Sequence, residues 1–198
     1  MHYGELTLFV GPMFAEKTNS LIKEILYRTY FSEEEPAAVY APSFDQRYGG
    51  CDITSHTGLR VQATRVSSVR DVHSTGFRWI FFDEVQFFTP PHFEGNLIDR
   101  IRQIRAEGCD VFCAGLDMDY LGRGFEVTGQ LMAEASSLHR LTARCQCCGA
   151  PATHTARLAP GRRRFEIGAA ESYAPMCAFH WFRDREARVD RGSEEDVT

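Results

Sequence analysis

Lysine is almost missing from this 198-residue chain: of 22 basic residues only Lys17 and Lys23 are lysines, the rest arginines. Fold physics asks for no such bias, but it makes the setting of Lys17 worth reading closely. An excess of positive charge is missing too. Acidic residues number 27, the formal net charge is −5 and the pI is about 5.8, which speaks against a protein that lives on a nucleic-acid backbone. No apolar run approaches the ~20 residues that span a bilayer. No basic segment followed by a long apolar stretch marks a secretory signal, so a membrane partner is excluded and a cytoplasmic location is expected. The seven cysteines are odd in number, and without an export route they read as reduced thiols or metal ligands rather than a disulfide framework. Repeats and low-complexity tracts are absent as well. What remains is ordinary for a globular chain, 43% hydrophobic and 25% charged, and long enough to bury a core without staples.

The first 140 residues alternate between two patterns. Residues 5–10 (ELTLFV) read as a strand running into Gly11-Pro12. Thr18 to Phe31 carries Leu21, Ile22, Ile25, Leu26 and Tyr30 at helical spacing. Residues 37–41 (AAVYA), 78–82 (RWIFF) and 109–115 (CDVFCAG) read as further strands, the second apolar enough to be buried on both faces. Residues 93–106 show Leu97, Ile98, Ile101 and Ile104 on one helical face with the arginines outside. Strands separated by helices predict an α/β fold, a parallel sheet with helices on both faces. From about residue 144 cysteines cluster and glycine, proline and arginine become dense, so a small second unit is expected over 144–182. A charged tail, 183–198, extends a helix briefly and then frays. The expected division is 1–143, 144–182 and 183–198.

Gly11, Pro12, Met13, Phe14, Ala15, Glu16, Lys17 and Thr18 follow a strand and open a helix, the setting of a phosphate loop, G-x-x-x-x-G-K-[ST]. Backbone N–H groups at a helix start bind anions, the lysine reaches the β and γ phosphates, and the threonine hydroxyl helps hold Mg²⁺. The pattern holds at Gly11, Lys17 and Thr18 and fails at Glu16, where glycine belongs. A plain strand–turn–helix with a solvated lysine is the bland alternative. Phe81-Phe82-Asp83-Glu84 weighs against it: an apolar strand ending in Asp sets a carboxylate at the carboxyl edge of the sheet beside the phosphate loop. Of two adjacent acids there, one can organise Mg²⁺ and the other accept a proton.

Cys145 and Cys148, then Cys177 and His180, form a C-x₂-C and a C-x₂-H pair. Two such i, i+3 pairs suit tetrahedral Zn²⁺, and a closed set of four ligands leaves no place for water, so the ion is read as structural. A register using the spare Cys147, and four unrelated free thiols, are the alternatives. Cys51, Cys109 and Cys113 have no ligand spacing, and the last two are read as core residues.

In the order and spacing of its motifs the chain resembles the type II, zinc-containing thymidine kinases, over residues 5–181. The resemblance rests on GPMFAEKT (11–18), FDQRY (44–48), DEVQFF (83–88), GLDMDY (115–120), LTARCQCCGAPATHTARL (141–158) and IGAAESYAPMCAFH (167–180). It implies a P-loop core with a zinc-pinned lasso and transfer of the γ-phosphoryl group of ATP to the 5′-hydroxyl of thymidine or deoxyuridine. It implies Glu84 as the proton acceptor. Asp45, Gln46, Arg47, Asp83 and Gln86 would join residues 11–18 in contacting ATP, its phosphates and Mg²⁺. Tyr120, Phe125, Tyr173 and the lasso stretch Arg164, Phe165, Glu166, Ile167 and Gly168 would contact the nucleoside. It further implies a homotetramer. Three positions depart from the family pattern: Glu16, Ala169 for a second glycine, and Gly124 where proline is common. Only Glu16 touches chemistry, and it motivates the alternative of a nucleoside-binding paralogue with impaired catalysis. A P-loop ATPase carrying a zinc-ribbon nucleic-acid module is a more distant alternative, opposed by the acidic charge.

Other residues are read more plainly. His56 is structural, and His73, His92 and His139 lie on the surface. Phe87-Phe88 packs near the site, and Arg162-Arg163-Arg164 is a solvated loop tip or, alternatively, a phosphate contact.

Overall fold

A computed structural model describes residues 2–31, 36–44, 52–55, 57–158 and 172–189. Asp45, Gln46, Arg47, Cys51, His56 and the stretch from Arg162 through Ala169 lie outside those residues. The centre is a six-stranded sheet, every pairing parallel, built from β1 (Leu6–Gly11), β2 (Ala37–Pro42), β5 (Thr64–Val66), β6 (Trp79–Phe82), β7 (Asp110–Leu116) and β8 (Ser137–Arg140). Its order is β5-β2-β6-β7-β1-β8. This is the expected α/β architecture.

Strand periodicity explains the two layers. Leu6, Leu8 and Val10 of β1, Ile80 and Phe82 of β6, and Val111 and Cys113 of β7 point to one face. There they meet Leu97, Ile98, Ile101 and Ile104 of α2 (Leu97–Ala106) and Leu131 of α3 (Glu126–Glu134). The alternate residues Phe9, Trp79, Phe81, Phe112 and Ala114 point to the other face, under Leu21, Ile22 and Ile25 of α1 (Lys17–Phe31). Strands apolar at both parities therefore lie between two helical layers, and a fully buried Phe81 or Phe82 contributes about 1.5–3 kcal/mol. Cys109 and Cys113 are buried in this core, as expected.

Three expectations need correction. The helix read from residue 93 begins at Leu97, because the Asn96 side chain caps it, accepting from the N–H groups of Ile98 (2.9 Å) and Asp99 (3.3 Å). Its arginines are not all outside: Arg105 is buried, donating from Nε to the Gly4 carbonyl at 2.8 Å. His92 is half-buried, its ring 4.2 Å from that of Phe44. The edge strands β5 and β8 and helix α3 carry no reading in the sequence. Each edge strand is short and largely polar, and each is recruited by backbone pairing to a neighbour.

The zinc-ligand region is a small unit of two-stranded ladders. β9 (Ala143–Arg144) pairs with β10 (Pro151–Ala152), and β11 (His154–Arg157) pairs with β12 (Tyr173–Met176). Its apolar cluster is Cys145, three alanines and Met176, with Tyr173, Thr155 and Arg157 also buried in the ladders, too little apolar area for core packing to hold it alone. A further ladder joins β3 (Asp52–Thr54) to β4 (Arg60–Gln62). Helix α4 (Ala178–Val189) follows and carries the chain past residue 182 into the charged stretch. No described helix is long and apolar enough to cross a membrane.

Candidate active site

The loop between β1 and α1 lies at the carboxyl edge of the sheet, where parallel α/β folds place their ligands. Gly11 has φ +147°, and a Cβ there would sit 2.3 Å from the Leu141 carbonyl oxygen, so no side chain fits where β1 ends. Lys17 folds back along the loop, its Nζ donating to the Pro12 carbonyl at 2.7 Å. Thr18, in the first turn of α1, donates from Oγ1 toward both carboxylate oxygens of Asp83, at 3.1 and 3.2 Å. Asp83 is buried directly after β6. Two residues 65 positions apart thus present a hydroxyl and a carboxylate together. Hard oxygen donors at the foot of this loop fit Mg²⁺.

Glu16 has φ +57°, in the left-handed region that glycine adopts without strain. The sequence departure therefore falls on a position whose backbone asks for glycine, at a cost of about 1–2 kcal/mol. Its side chain is exposed and accepts from Asn19 Nδ2 at 3.2 Å. Asn19 is buried and accepts in turn from Thr57 Oγ1 at 3.0 Å. Asn19 had no signal in the sequence beyond its place in the helix.

Glu84 also adopts the left-handed region, φ +56° and ψ +45°, at the mouth of a short 3₁₀ turn over residues 85–87. Such strain is held where the surroundings over-determine it. Gln86 is buried and donates from Nε2 to Glu84 Oε2 at 2.6 Å. Phe87 and Phe88 are buried beside it, as core near the site.

Tyr120 and Tyr173 come together from separate segments, ring centroids 6.4 Å apart, with the Arg157 guanidinium 5.4 Å from the Tyr120 ring. The loop bearing Tyr120 is shaped by Asp119, whose Oδ1 accepts from the N–H groups of Leu121 and Arg123, both at 2.9 Å. Helix α4 pins the same loop: Trp181 Nε1 donates to the Tyr120 carbonyl at 3.1 Å and Arg185 to the Leu121 carbonyl at 2.6 Å. Phe125 is buried at the start of α3.

Cys145, Cys148, Cys177 and His180 place one donor atom each within 4.8 Å of one another. Cys148 Sγ lies 3.9 Å from Cys177 Sγ, and His180 Nδ1 lies 3.7 Å from Cys145 Sγ and 3.2 Å from Cys177 Sγ. Tetrahedral zinc, with Zn–S near 2.3 Å and Zn–N near 2.0 Å, separates its donors by about 3.5–3.8 Å, so the four residues fit the ion. Backbone N–H groups, that of Cys177 foremost, bring the Cys145 thiol down to about 6, toward the thiolate. Cys147 is exposed and outside the set.

The unit is wired to the loop between β1 and α1 by a contact that no local pattern announces: the Met13 N–H donates to Thr155 Oγ1 of β11 at 3.0 Å. Burial lowers the pKa of the neighbouring His154, whose ring stacks on Trp181 at 4.5 Å. The family model that matches this chain, over residues 4–181, is that of thymidine kinase.

Proposed function

The chain belongs to the thymidine kinase family, and on that footing we propose that it transfers the γ-phosphoryl group of ATP to the 5′-hydroxyl of thymidine or deoxyuridine. The observation that carries the reading is Thr18 Oγ1 within 3.1 and 3.2 Å of the Asp83 carboxylate, with Glu84 next in the chain. Residues 11–18 hold the triphosphate through backbone N–H groups other than those of Pro12, which has none, and Met13, which is bound to Thr155, and Lys17 leaves the Pro12 carbonyl for its β and γ oxygens. Thr18 and Asp83 would hold the Mg²⁺ that accompanies ATP, which supplies charge neutralisation there. Glu84 accepts the proton of the 5′-hydroxyl. Tyr120, Phe125 and Tyr173 bear on the base, with Arg164 through Gly168 closing over it. Asp45, Gln46 and Arg47 belong to the ATP side, and Gln86 lies in the same nucleotide-contacting segment as Asp83 and Glu84. Cys145, Cys148, Cys177 and His180 hold a structural zinc that pins this second unit. The resemblance brings with it a cytoplasmic homotetramer that uses no nucleic acid.

Glu16 carries the second reading, a nucleoside-binding paralogue with impaired catalysis, since its backbone strain and its charge both oppose phosphate binding. Its exposure and its bond to Asn19 favour a working loop. A coupled assay with ATP, Mg²⁺ and a panel of nucleosides separates the two. ATP-dependent phosphorylation of thymidine supports the kinase, and saturable thymidine binding without turnover supports the paralogue.

A further inference from the structure

We propose that Gln86 is the positioning residue for Glu84, a strut that fixes the carboxylate against the end of β7; the proposal rests on the reading of Glu84 as the proton acceptor. Both ends of the Gln86 amide are engaged. Nε2 donates to Glu84 Oε2 at 2.6 Å, and Oε1 accepts from the Leu116 N–H at 2.9 Å. The backbone N–H of Leu116 can only donate, so it must face the amide oxygen, and the NH₂ group is thereby turned to Glu84. Gln86 is 2% exposed, so water does not compete for either bond.

Packing holds the strut in line. A Cβ on Gly115 would lie 2.7 Å from Gln86 Oε1 and 2.6 Å from Val85 Cγ2, so the bare backbone of β7 is what lets the amide lie flat against the strand. Glu84 sits in the left-handed region, and the turn after it is closed by the Phe87 N–H donating to the Glu84 carbonyl at 3.0 Å. That turn doubles the chain back, bringing residue 86 beside residue 84. A glutamate on a flexible stem loses rotamer entropy when held, and a charge-assisted hydrogen bond at short range is what offsets it. The bond also favours the ionised form that a base requires. Among the described residues, the charged side chains at this end of the sheet include Lys17 at the start of α1, Asp83 after β6, and Asp117 after β7, the last paired with Arg140 at 3.1 Å. They are common to every variant below, so differences read Gln86.

The test compares Gln86→Leu and Gln86→Glu with Glu84→Gln and the parent, each checked by thermal melting, through the pH profile of kcat/KM for thymidine. Gln86→Leu removes the donor and is expected to lower kcat/KM about 10–100-fold, the scale of a reacting group misplaced by about 1 Å. Its acid limb should move to higher pH, since the carboxylate has lost a donor. Gln86→Glu keeps an acceptor for Leu116 but sets a second carboxyl against Glu84. Its acid limb should move up by about one pH unit or more, with activity recovering on the alkaline side. A drop in kcat/KM with both acid limbs unmoved makes Gln86 a packing residue and overturns the proposal, as does an unchanged rate in a folded Gln86→Leu protein. If Glu84→Gln itself retains full activity, the reading of Glu84 as base fails, and the proposal falls with it; that outcome is distinct from failure at Gln86 alone.

Discussion

Thr155, in the small unit that carries the Cys/His cluster, accepts a hydrogen bond from the Met13 N–H of the loop between β1 and α1 at 3.0 Å, across 142 residues of chain. The contact makes the two units one device. A loop amide held at β11 is kept in register before any nucleotide arrives, and pre-ordering of this kind strengthens binding by sparing entropy on association. Thr155→Val keeps the shape and deletes the acceptor. It should raise the KM for ATP about 5–10-fold, the worth of about 1–1.4 kcal/mol for one buried hydrogen bond, with Thr155→Ser restoring it. Equal ATP kinetics in all three proteins would detach the loop from β11.

Freshly purified protein, handled without chelators, should contain about one zinc per chain by elemental analysis, held by Cys145, Cys148, Cys177 and His180. Cys148→Ser should lower zinc content and the melting temperature together, because the unit's apolar cluster is small and mostly alanine, and the metal would replace the core it lacks. Through Thr155 and Trp181 the loss should also reach the phosphate loop and the Tyr120 loop, raising both KM values. Full zinc content in Cys148→Ser would assign the fourth ligand elsewhere, to Cys147 first.

Glu84→Gln preserves size and hydrogen-bonding capacity and removes the basic oxygen. A fall in kcat by roughly 10²–10⁴, with thymidine affinity nearly unchanged, is the expected outcome. It is read by single-turnover kinetics beside equilibrium binding.

Glu16 separates into two effects that two substitutions can resolve. Glu16→Ala removes the carboxylate and keeps a Cβ at φ +57°, whereas Glu16→Gly also releases the strain. Glu16→Gly should raise kcat/KM for ATP several-fold. Because the side chain is exposed and tied to Asn19, most of the gain should be absent from Glu16→Ala. A gain of the same size in both would make charge, not backbone, the cause. No gain in either would show the substitution to be tolerated.

Much of the candidate site could be read from the sequence because it is written in contiguous residues. A strand, a loop and a helix start in eight positions suggest a phosphate loop, an apolar strand ending in Asp83-Glu84 gives the acid pair, and two C-x₂ spacings give the Cys145, Cys148, Cys177 and His180 cluster that the structure brings together. Each depends on local geometry: a strand end, a helix N-terminus, or one turn that brings two ligands within reach of a single ion. The two-layer sheet was legible for a similar reason, since strands apolar at both parities need cover on both sides.

The sequence by itself determined the chemistry available: which carboxylates, hydroxyls, thiols and backbone amides lie at the ends of which elements. Only the tertiary structure decided how they are held. That Glu16 turns to Asn19, that Gln86 links Glu84 to Leu116, and that Thr155 holds Met13 follow from no periodicity or spacing. The edge strands β5 and β8 were equally silent, because a short polar strand is selected by the backbone donors and acceptors of the neighbour it meets. Contacts across 142 residues, or between a side chain and the backbone of another strand, exist only once the core has brought the segments together. Local composition cannot carry that information, because the same Thr or Gln elsewhere in the chain would simply face water.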